Sequence, residues 1–494
     1  MRRQVHQEPA SPYSDLTTHR LSDSNTLRSM SAEKTPLLGT SDQDASPSRA
    51  SRHKPSAHLP LVVFVMIFMT ALRFLVLGYT WFERPGVESE GDRHLHAARR
   101  VLHKHPLIDG HDDLLILIRA LYTNNINNGS FPEKFKHGGL PGQLDIPRIK
   151  EGQLGGSFWS AWVPCPQNGS DFSNENYAPY VRATFDQLDL FHRLADLYPK
   201  YFTPTPSAAA AEAAFRSGHL ISPAAIEGLH QIGNSASILR QYHRLGVRYA
   251  TLTWNCHNAF ADAALTTPVG GNLTVSAPLW HGVSVPGRAM IHEMNRLGML
   301  VDLSHVSPNT MRDVLYGNND TTESAAWEGS IAPPIFSHSS AYAICPHPRN
   351  VPDDVLQLVK ARNSLVMVNV APDFISCRAS NDSSGLPEYV DETNTLDQVV
   401  RHIMYIGELI GYDHVGIGTD FDGIPSTPRG LEGVDKFPDL VAELLRKGVS
   451  ETNAAKVVGR NLLRVWAEAD KVSLKMKKEG WLPLEDYVKF PKGS

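Results

Sequence analysis

Cysteine is scarce in this chain. There are four in 494 residues, Cys165, Cys256, Cys345 and Cys377, and no two form a CxxC pair. A cysteine-based zinc knuckle is thereby excluded. Basic residues are not in excess: Lys and Arg number 47 against 52 Asp and Glu, for a formal net charge of -5. The electrostatic footprint of a nucleic-acid binder is missing, so no nucleic-acid partner is expected. No GxGxxG and no GxxxxGK(S/T) follows an apolar run, which removes the usual phosphate-cradling loops. His292-Glu293 invites comparison with the HExxH zinc-protease pattern, but the position four after His292 is Arg296 and the pattern fails. The residues Pro491–Ser494 carry no hydrophobic run, so a GPI anchor signal is not expected.

What is present is globular composition, 41% hydrophobic and 20% charged, with 22 histidines. That histidine count makes a metal site worth seeking without proving one. An even number of scattered cysteines fits two disulfides in an oxidising compartment. The alternative is four buried thiols in a cytosolic enzyme. Residues 1–58 are rich in Ser, Thr, Pro, Asp and Arg without hydrophobic period and read as a disordered cytosolic tail. Leu59 to Phe82 is almost wholly apolar, interrupted by Arg73. Its length of about 24 residues at roughly 1.5 Å rise crosses a bilayer as one transmembrane helix, with Tyr79, Trp81 and Phe82 as an aromatic belt. Arg73 opposes this by roughly 2.5–3.5 kcal/mol near the bilayer centre, and a buried helix is the competing reading. Arg49, Arg52 and Lys54 precede the span, and Glu83, Glu88, Glu90 and Asp92 outweigh Arg84 after it. The positive-inside rule then gives a type II signal anchor with the rest of the chain lumenal or extracellular. Residues 83–94 read as a linker and 95–494 as the catalytic domain. Every glycosylation sequon, at Asn128, Asn168, Asn272, Asn319 and Asn381, follows the span.

From about Arg93 short apolar runs alternate with amphipathic stretches. The runs are Pro106–Ile108, Gly156–Val163, Ile221–Ile226, Tyr249–Trp254, Met299–Leu303, Pro334–Phe336, Leu365–Val370 and Val415–Ile417. Val181–Leu197, Ala236–Leu245, Arg288–Leu297, Asp353–Ala361 and Leu396–Ile410 read as helices, with Gly246 and Gly298 where helices stop. Eight strands alternating with helices predict an α/β fold, a (β/α)₈ TIM-type barrel; a doubly wound open sheet is the runner-up.

Nearly every predicted strand ends in a polar residue, where a barrel places its active site. His111 and Asp113 lie two apart after the first strand, so on an extended segment they face one way and can share a zinc. Asp112 then points away. Glu227 ends the third strand, His305 the fifth and His338 the sixth. Each residue alone reads more simply as a hydrogen-bonded strand-end side chain. Together they make two three-ligand sets if one carboxylate bridges, and a three-ligand zinc keeps a position for water. Asp420 follows the last strand and suits a general acid/base, whereas Asp422 before Gly423 suits a turn. Arg349 is either a solvated loop cation or a carboxylate clamp.

With those residues in view the chain resembles the membrane (renal) dipeptidase family. The matching phrases are Ile108–Asp113, Gly152–Pro164, Ile226–Gly228, Tyr249–Asp262, Val301–Ser307, Phe336–Tyr342, Arg349–Val355 and His414–Gly423, over roughly residues 95 to 470. The resemblance implies a zinc-dependent metallo-dipeptidase with two Zn2+ per chain. It assigns His111 and Asp113 to one ion and His305 and His338 to the other, with Glu227 bridging. It gives Arg349 the substrate's C-terminal carboxylate, and Asp420 the free amino group and the proton shuttle. It implies disulfides Cys165–Cys256 and Cys345–Cys377. The expected reaction is attack of a metal-bridging hydroxide on the peptide carbonyl of a dipeptide. A homodimer is left open.

One position departs from the family. Where its active members carry a His that stabilises the tetrahedral intermediate, this chain has Trp254. Indole donates one hydrogen bond and carries no charge. His257 lies an odd number of residues away and on a strand faces elsewhere. Three readings therefore stand: a dipeptidase slowed by Trp254, a catalytically weak or inactive zinc-bearing membrane glycoprotein, and a hydrolase of another amide such as a lactam.

Overall fold

The computed structural model describes residues 90–268, 270–317 and 327–486, together with Met69. The stretch read as a transmembrane helix, 59–82, lies outside the described residues apart from Met69, as do the tail and Asn319. Among the described residues no helix is long and apolar enough to cross a membrane. A helix, Glu90–Lys104, begins inside the stretch read as linker.

Eight strands form one sheet: β1 Leu107–Asp112, β2 Leu154–Ser160, β3 Ala224–Glu227, β4 Val247–Thr251, β5 Leu300–Asp302, β6 Ile335–Phe336, β7 Leu365–Val368 and β8 Val415–Ile417. They are hydrogen-bonded in chain order, every neighbouring pair parallel. The ring closes beyond β8, where Asp420 N–H donates to the His111 carbonyl (3.1 Å) and Asp113 N–H to the Phe421 carbonyl (2.8 Å). All eight sequence-predicted strands fall on these eight, and the barrel, not the open sheet, is the architecture. Parallel strands need crossover connections, and helices such as Ala236–Arg244, Val285–Leu297, Asp353–Ala361 and Leu396–Ile410 supply them. Gly246 (φ 101°) and Gly298 (φ 79°) do end their helices in the left-handed region that a Cβ disfavours.

Alternation along each strand builds two cores. Leu107, Trp159, Ala250, Val301, Val366 and Val368 face the helices in one cluster. Ile108, Phe158, Tyr249, Leu300, Leu365 and Met367 face inward in another, joined by Leu462 and Trp466 of the helix Asn461–Lys478. That helix plugs the barrel. Trp466 meets Phe158 (ring centroids 5.3 Å) and Phe158 meets Tyr249 (5.0 Å), an aromatic column rising through the interior. The barrel is therefore packed, and the room for chemistry lies at the C-terminal ends of the strands.

Both disulfides implied by the resemblance are formed, Cys165–Cys256 and Cys345–Cys377. Asn128, Asn168, Asn272 and Asn381 are exposed.

Candidate metal centre

Five ligand-type side chains converge at the strand ends, all buried: His111, Asp113, Glu227, His305 and His338. Their donor atoms form two overlapping three-residue groups, His111–Asp113–Glu227 and Glu227–His305–His338, in each of which all atoms lie within 4.8 Å of one another. Glu227 belongs to both. One of its oxygens is 3.6 Å from His111 Nε2; the other is 2.6 Å from His305 Nε2 and 3.4 Å from His338 Nε2. His111 Nε2 is 3.3 Å from Asp113 Oδ2. The structure thus brings together every residue read as a ligand.

The local reasons differ from the sequence argument in one place. Asp113 does not extend β1; it stands at the head of the helix Leu114–Tyr122 with φ −100° and ψ 25°. The chain turns there, yet the carboxylate still meets His111. Asp112 points away as expected, its Oδ1 accepting from Leu114 N–H (2.9 Å). His305 (φ 68°) and Asp420 (φ 67°) sit in the left-handed region, sparsely used by residues with a Cβ. Such backbone persists only where surrounding structure enforces it, and functional sites are where it gathers.

The chemistry of the donor set fits a cation. His305 Nδ1 faces Asn255 Oδ1 (2.9 Å) and His338 Nδ1 faces the Ser337 hydroxyl (2.8 Å). With those protons on Nδ1, the two Nε2 lone pairs confront each other at 3.0 Å, a repulsion that a metal ion between them turns into ligation. Asp113 Oδ1 is buried without a hydrogen-bond partner among the described residues. Burial opposes charge on His111, but Glu227, Asp113 and Asp420 overcome it and lift its ring to about 10. Those carboxylates therefore draw positive charge into the site. Burial, then the positive charges of Arg349 and His111, hold His305 and His338 well below the ordinary histidine range, in the neutral form that ligates.

Around this core stand the substrate-side residues. Asp420 Oδ1 is 4.0 Å from His111 Nε2. Burial raises its carboxyl to about 7, with Asp113 and Asp109 adding to the rise and His111 and Arg349 opposing it. Arg349 is not a solvated loop cation: it is 2% exposed, and its Nε and Nη2 have no hydrogen-bond partner among the described residues. Its guanidinium lies over the Phe374 ring at 5.1 Å. Burial lowers it to about 10, against the attraction of Asp420, Glu227 and Asp302. Asp422 is the turn residue expected, accepting from Gln143 N–H at 2.6 Å.

Trp254 lies outside any strand, since β4 stops at Thr251. Strand alternation therefore does not govern the direction of His257. His257 Nδ1 instead accepts from Ala263 N–H (3.1 Å) and lies 3.2 Å from Asp262 Oδ1. The indole of Trp254 packs edge-on against Trp162 (5.0 Å) and 6.1 Å from the His305 ring. Trp254, Asn255, Cys256 and His257 line a cleft of about 790 Å³ beside the ligand cluster. Sequence reasoning missed the residues that orient the ligands: Tyr249, whose hydroxyl is 2.6 Å from His111 Nδ1, and Asn255. The inward phase of β4 could have found Tyr249; nothing local marks Asn255.

A packed parallel barrel with ligand-type imidazoles and a shared carboxylate at its C-terminal rim defines a metal-dependent hydrolase class. Residues 95–480 match the membrane dipeptidase family, peptidase family M19, and the chain belongs to that family. It is 43% identical over 400 residues to dipeptidase aclJ of Aspergillus oryzae, covering 80% of this chain and 85% of that protein. It is 42% identical over 381 residues to dipeptidase tcpJ of Claviceps purpurea, covering 77% and 80%. Among solved structures it is similar to a metallopeptidase from Rhodobacter sphaeroides liganded with a phosphinate mimic of the dipeptide L-Ala-D-Ala (25% identity, TM-score 0.59, 74% of this chain and 99% of that one). The probable dipeptidase PvdM of Pseudomonas aeruginosa shares the fold (21% identity, TM-score 0.64, 77% and 99%). The chain is a metallo-dipeptidase.

Proposed function

We propose that this chain hydrolyses dipeptides bearing a free C-terminal carboxylate, using two zinc ions. His111 and Asp113 hold one ion, His305 and His338 the other, and Glu227 bridges them. The observation that carries this reading is the pair of three-ligand groups sharing Glu227. When bound, the metals supply Lewis acidity and an activated water.

The chain's own residues do the rest. Arg349 presents two unpartnered N–H groups from a fully buried guanidinium, suited to a bidentate carboxylate. Clamping that end fixes the scissile bond over the ligand cluster. Asp420, with its carboxyl near neutrality, is matched to take a proton and return it to the leaving amine. Its carboxylate form also meets the substrate's free ammonium group. Trp254 beside His305 narrows the carbonyl side of the site, so small residues such as Gly are preferred and turnover is slow. The apolar span 59–82 anchors the enzyme as a type II membrane protein with sugars on the exposed sequons. The test is hydrolysis of Gly-containing dipeptides by the purified chain, with and without a chelator, alongside elemental analysis. Two zinc ions per chain and chelator-sensitive hydrolysis are expected. A zinc-replete preparation without metal refutes the assignment.

A further inference from the structure

The two histidines of the second ligand group must each keep a proton on Nδ1 and a lone pair on Nε2. For His338, neighbouring side chains fix this choice. Asp302, at the end of β5, is fully buried. Its Oδ1 accepts from the backbone N–H of Ser304 (3.1 Å) and Ser337 (2.7 Å). Its Oδ2 accepts from the hydroxyls of Thr251 (2.5 Å) and Ser337 (2.6 Å). A carboxylate only accepts, so the Ser337 proton is committed to Asp302. The Ser337 oxygen then has two lone pairs left. They face three neighbours, His338 Nδ1 at 2.8 Å, the Ser304 hydroxyl at 3.2 Å and the Tyr249 hydroxyl. Ser304 in turn accepts from His338 N–H at 3.0 Å. With its proton on Asp302, Ser337 can only accept from these neighbours, so the proton between it and His338 belongs to Nδ1.

We infer that Asp302 and Ser337 are positioning residues that dictate the ligating tautomer of His338, and so the affinity of one metal ion of the pair. The inference rests on the proposed ligand set. It makes an ordering that hydrogen-bond counting does not. In Asp302→Asn the amide nitrogen cannot face the two backbone N–H groups, which cannot reverse. It must face the hydroxyls, which can. The amide N–H then donates to Ser337, which must turn its proton to another neighbour; His338 Nδ1 at 2.8 Å is nearer than the Ser304 hydroxyl at 3.2 Å, and when it accepts, the imidazole proton moves to Nε2, where it blocks ligation. Ser337→Ala removes the relay but leaves His338 free to choose either tautomer. The milder variant is therefore the one that deletes the group.

The experiment is zinc titration of the full-length chain against a chromophoric chelator, with thermal melting of each variant. Wild type is expected to take up two ions. Asp302→Asn should weaken one of them by about 10–100-fold, the usual cost of losing an outer partner of a metal-bound histidine, and leave the other unchanged. Ser337→Ala should weaken the same ion less. Adding Ser337→Ala to Asp302→Asn should restore part of the lost affinity, because no hydroxyl remains to impose the wrong tautomer. A purely structural role predicts further loss in the double variant, and that result overturns the inference, as does wild-type affinity in Asp302→Asn. If Asp302→Asn does not fold, Ser337→Ala alone decides: unchanged affinity for both ions overturns it. A wild-type chain that binds no zinc overturns the ligand assignment instead, and so is distinguishable.

Discussion

Arg349 permits a quantitative test of substrate selection. Its guanidinium is fully buried, stacked on Phe374, and has Nε and Nη2 unpartnered among the described residues. A dipeptide carboxylate completes a charge-assisted fork there, while the corresponding C-terminal amide leaves a buried cation facing a neutral group. Breaking one side of a buried pair costs roughly 3–5 kcal/mol. Asp420, Glu227 and Asp302 already attract the guanidinium, so the lower end applies. About 3 kcal/mol corresponds to roughly 10²-fold in kcat/KM. The perturbation is Arg349→Met, similar in length and uncharged. The assay is kcat/KM for one dipeptide and for its amide, on wild type and variant. Wild type should prefer the acid by about two orders of magnitude, and the variant should lose that preference mainly by losing the acid. Equal rates on acid and amide in wild type refute the clamp.

His305→Ala should leave one zinc per chain in elemental analysis, whereas Glu227→Gln should weaken both ions; loss of both in His305→Ala with retention in Glu227→Gln would reverse the bridging assignment. Trp254→His should raise kcat by up to roughly 10²–10³-fold, the usual cost of removing a single carbonyl-oxygen donor, read in steady-state hydrolysis of a Gly-containing dipeptide. His230 and His402 are buried and neutral, burial lowering each to about 4. A histidine depressed in the folded state contributes stability above its unfolded value near 6.5 and loses it as pH falls toward 4. Each should lose on the order of 2 kcal/mol across that window, measured as a falling denaturation midpoint. His402→Gln should flatten the slope, since its ring bonds the Ala341 N–H (3.1 Å) and the Ile375 carbonyl (2.9 Å), which an amide can imitate.

The barrel was legible because its strands are short apolar runs punctuated by helix stops, and because closure at β8–β1 needs no signal beyond eight repeats. The five ligands were legible because they fall at the ends of four predicted strands, and strand ends share one rim. What supports them was not. Asn255 lies in irregular chain after β4, and its partner His305 is 50 residues away. Asp302 and Ser337 carry no signal of their own until β4, β5 and β6 lie side by side. Periodicity reports which face a residue takes within its own strand; it is silent on hydrogen bonds between strands. The same limit explains His257, placed by strand alternation in a segment that is not strand.

Trp254 joins these levels. Cys256, two residues on, is bonded to Cys165 in the chain that follows β2, and that same chain carries Trp162, the ring on which Trp254 packs. Asn255, between Trp254 and Cys256, holds His305. One disulfide therefore fixes both tryptophans and a ligand-orienting amide as a single wall on the His305 side of the site. A covalently held backbone limits how far the wall can collapse when the indole is replaced by a smaller ring. The change in rate on Trp254→His consequently reports carbonyl-side chemistry and space more than folding. A rate that rises for bulky dipeptides alone assigns Trp254 to exclusion of volume, and a uniform rise assigns it to a missing donor.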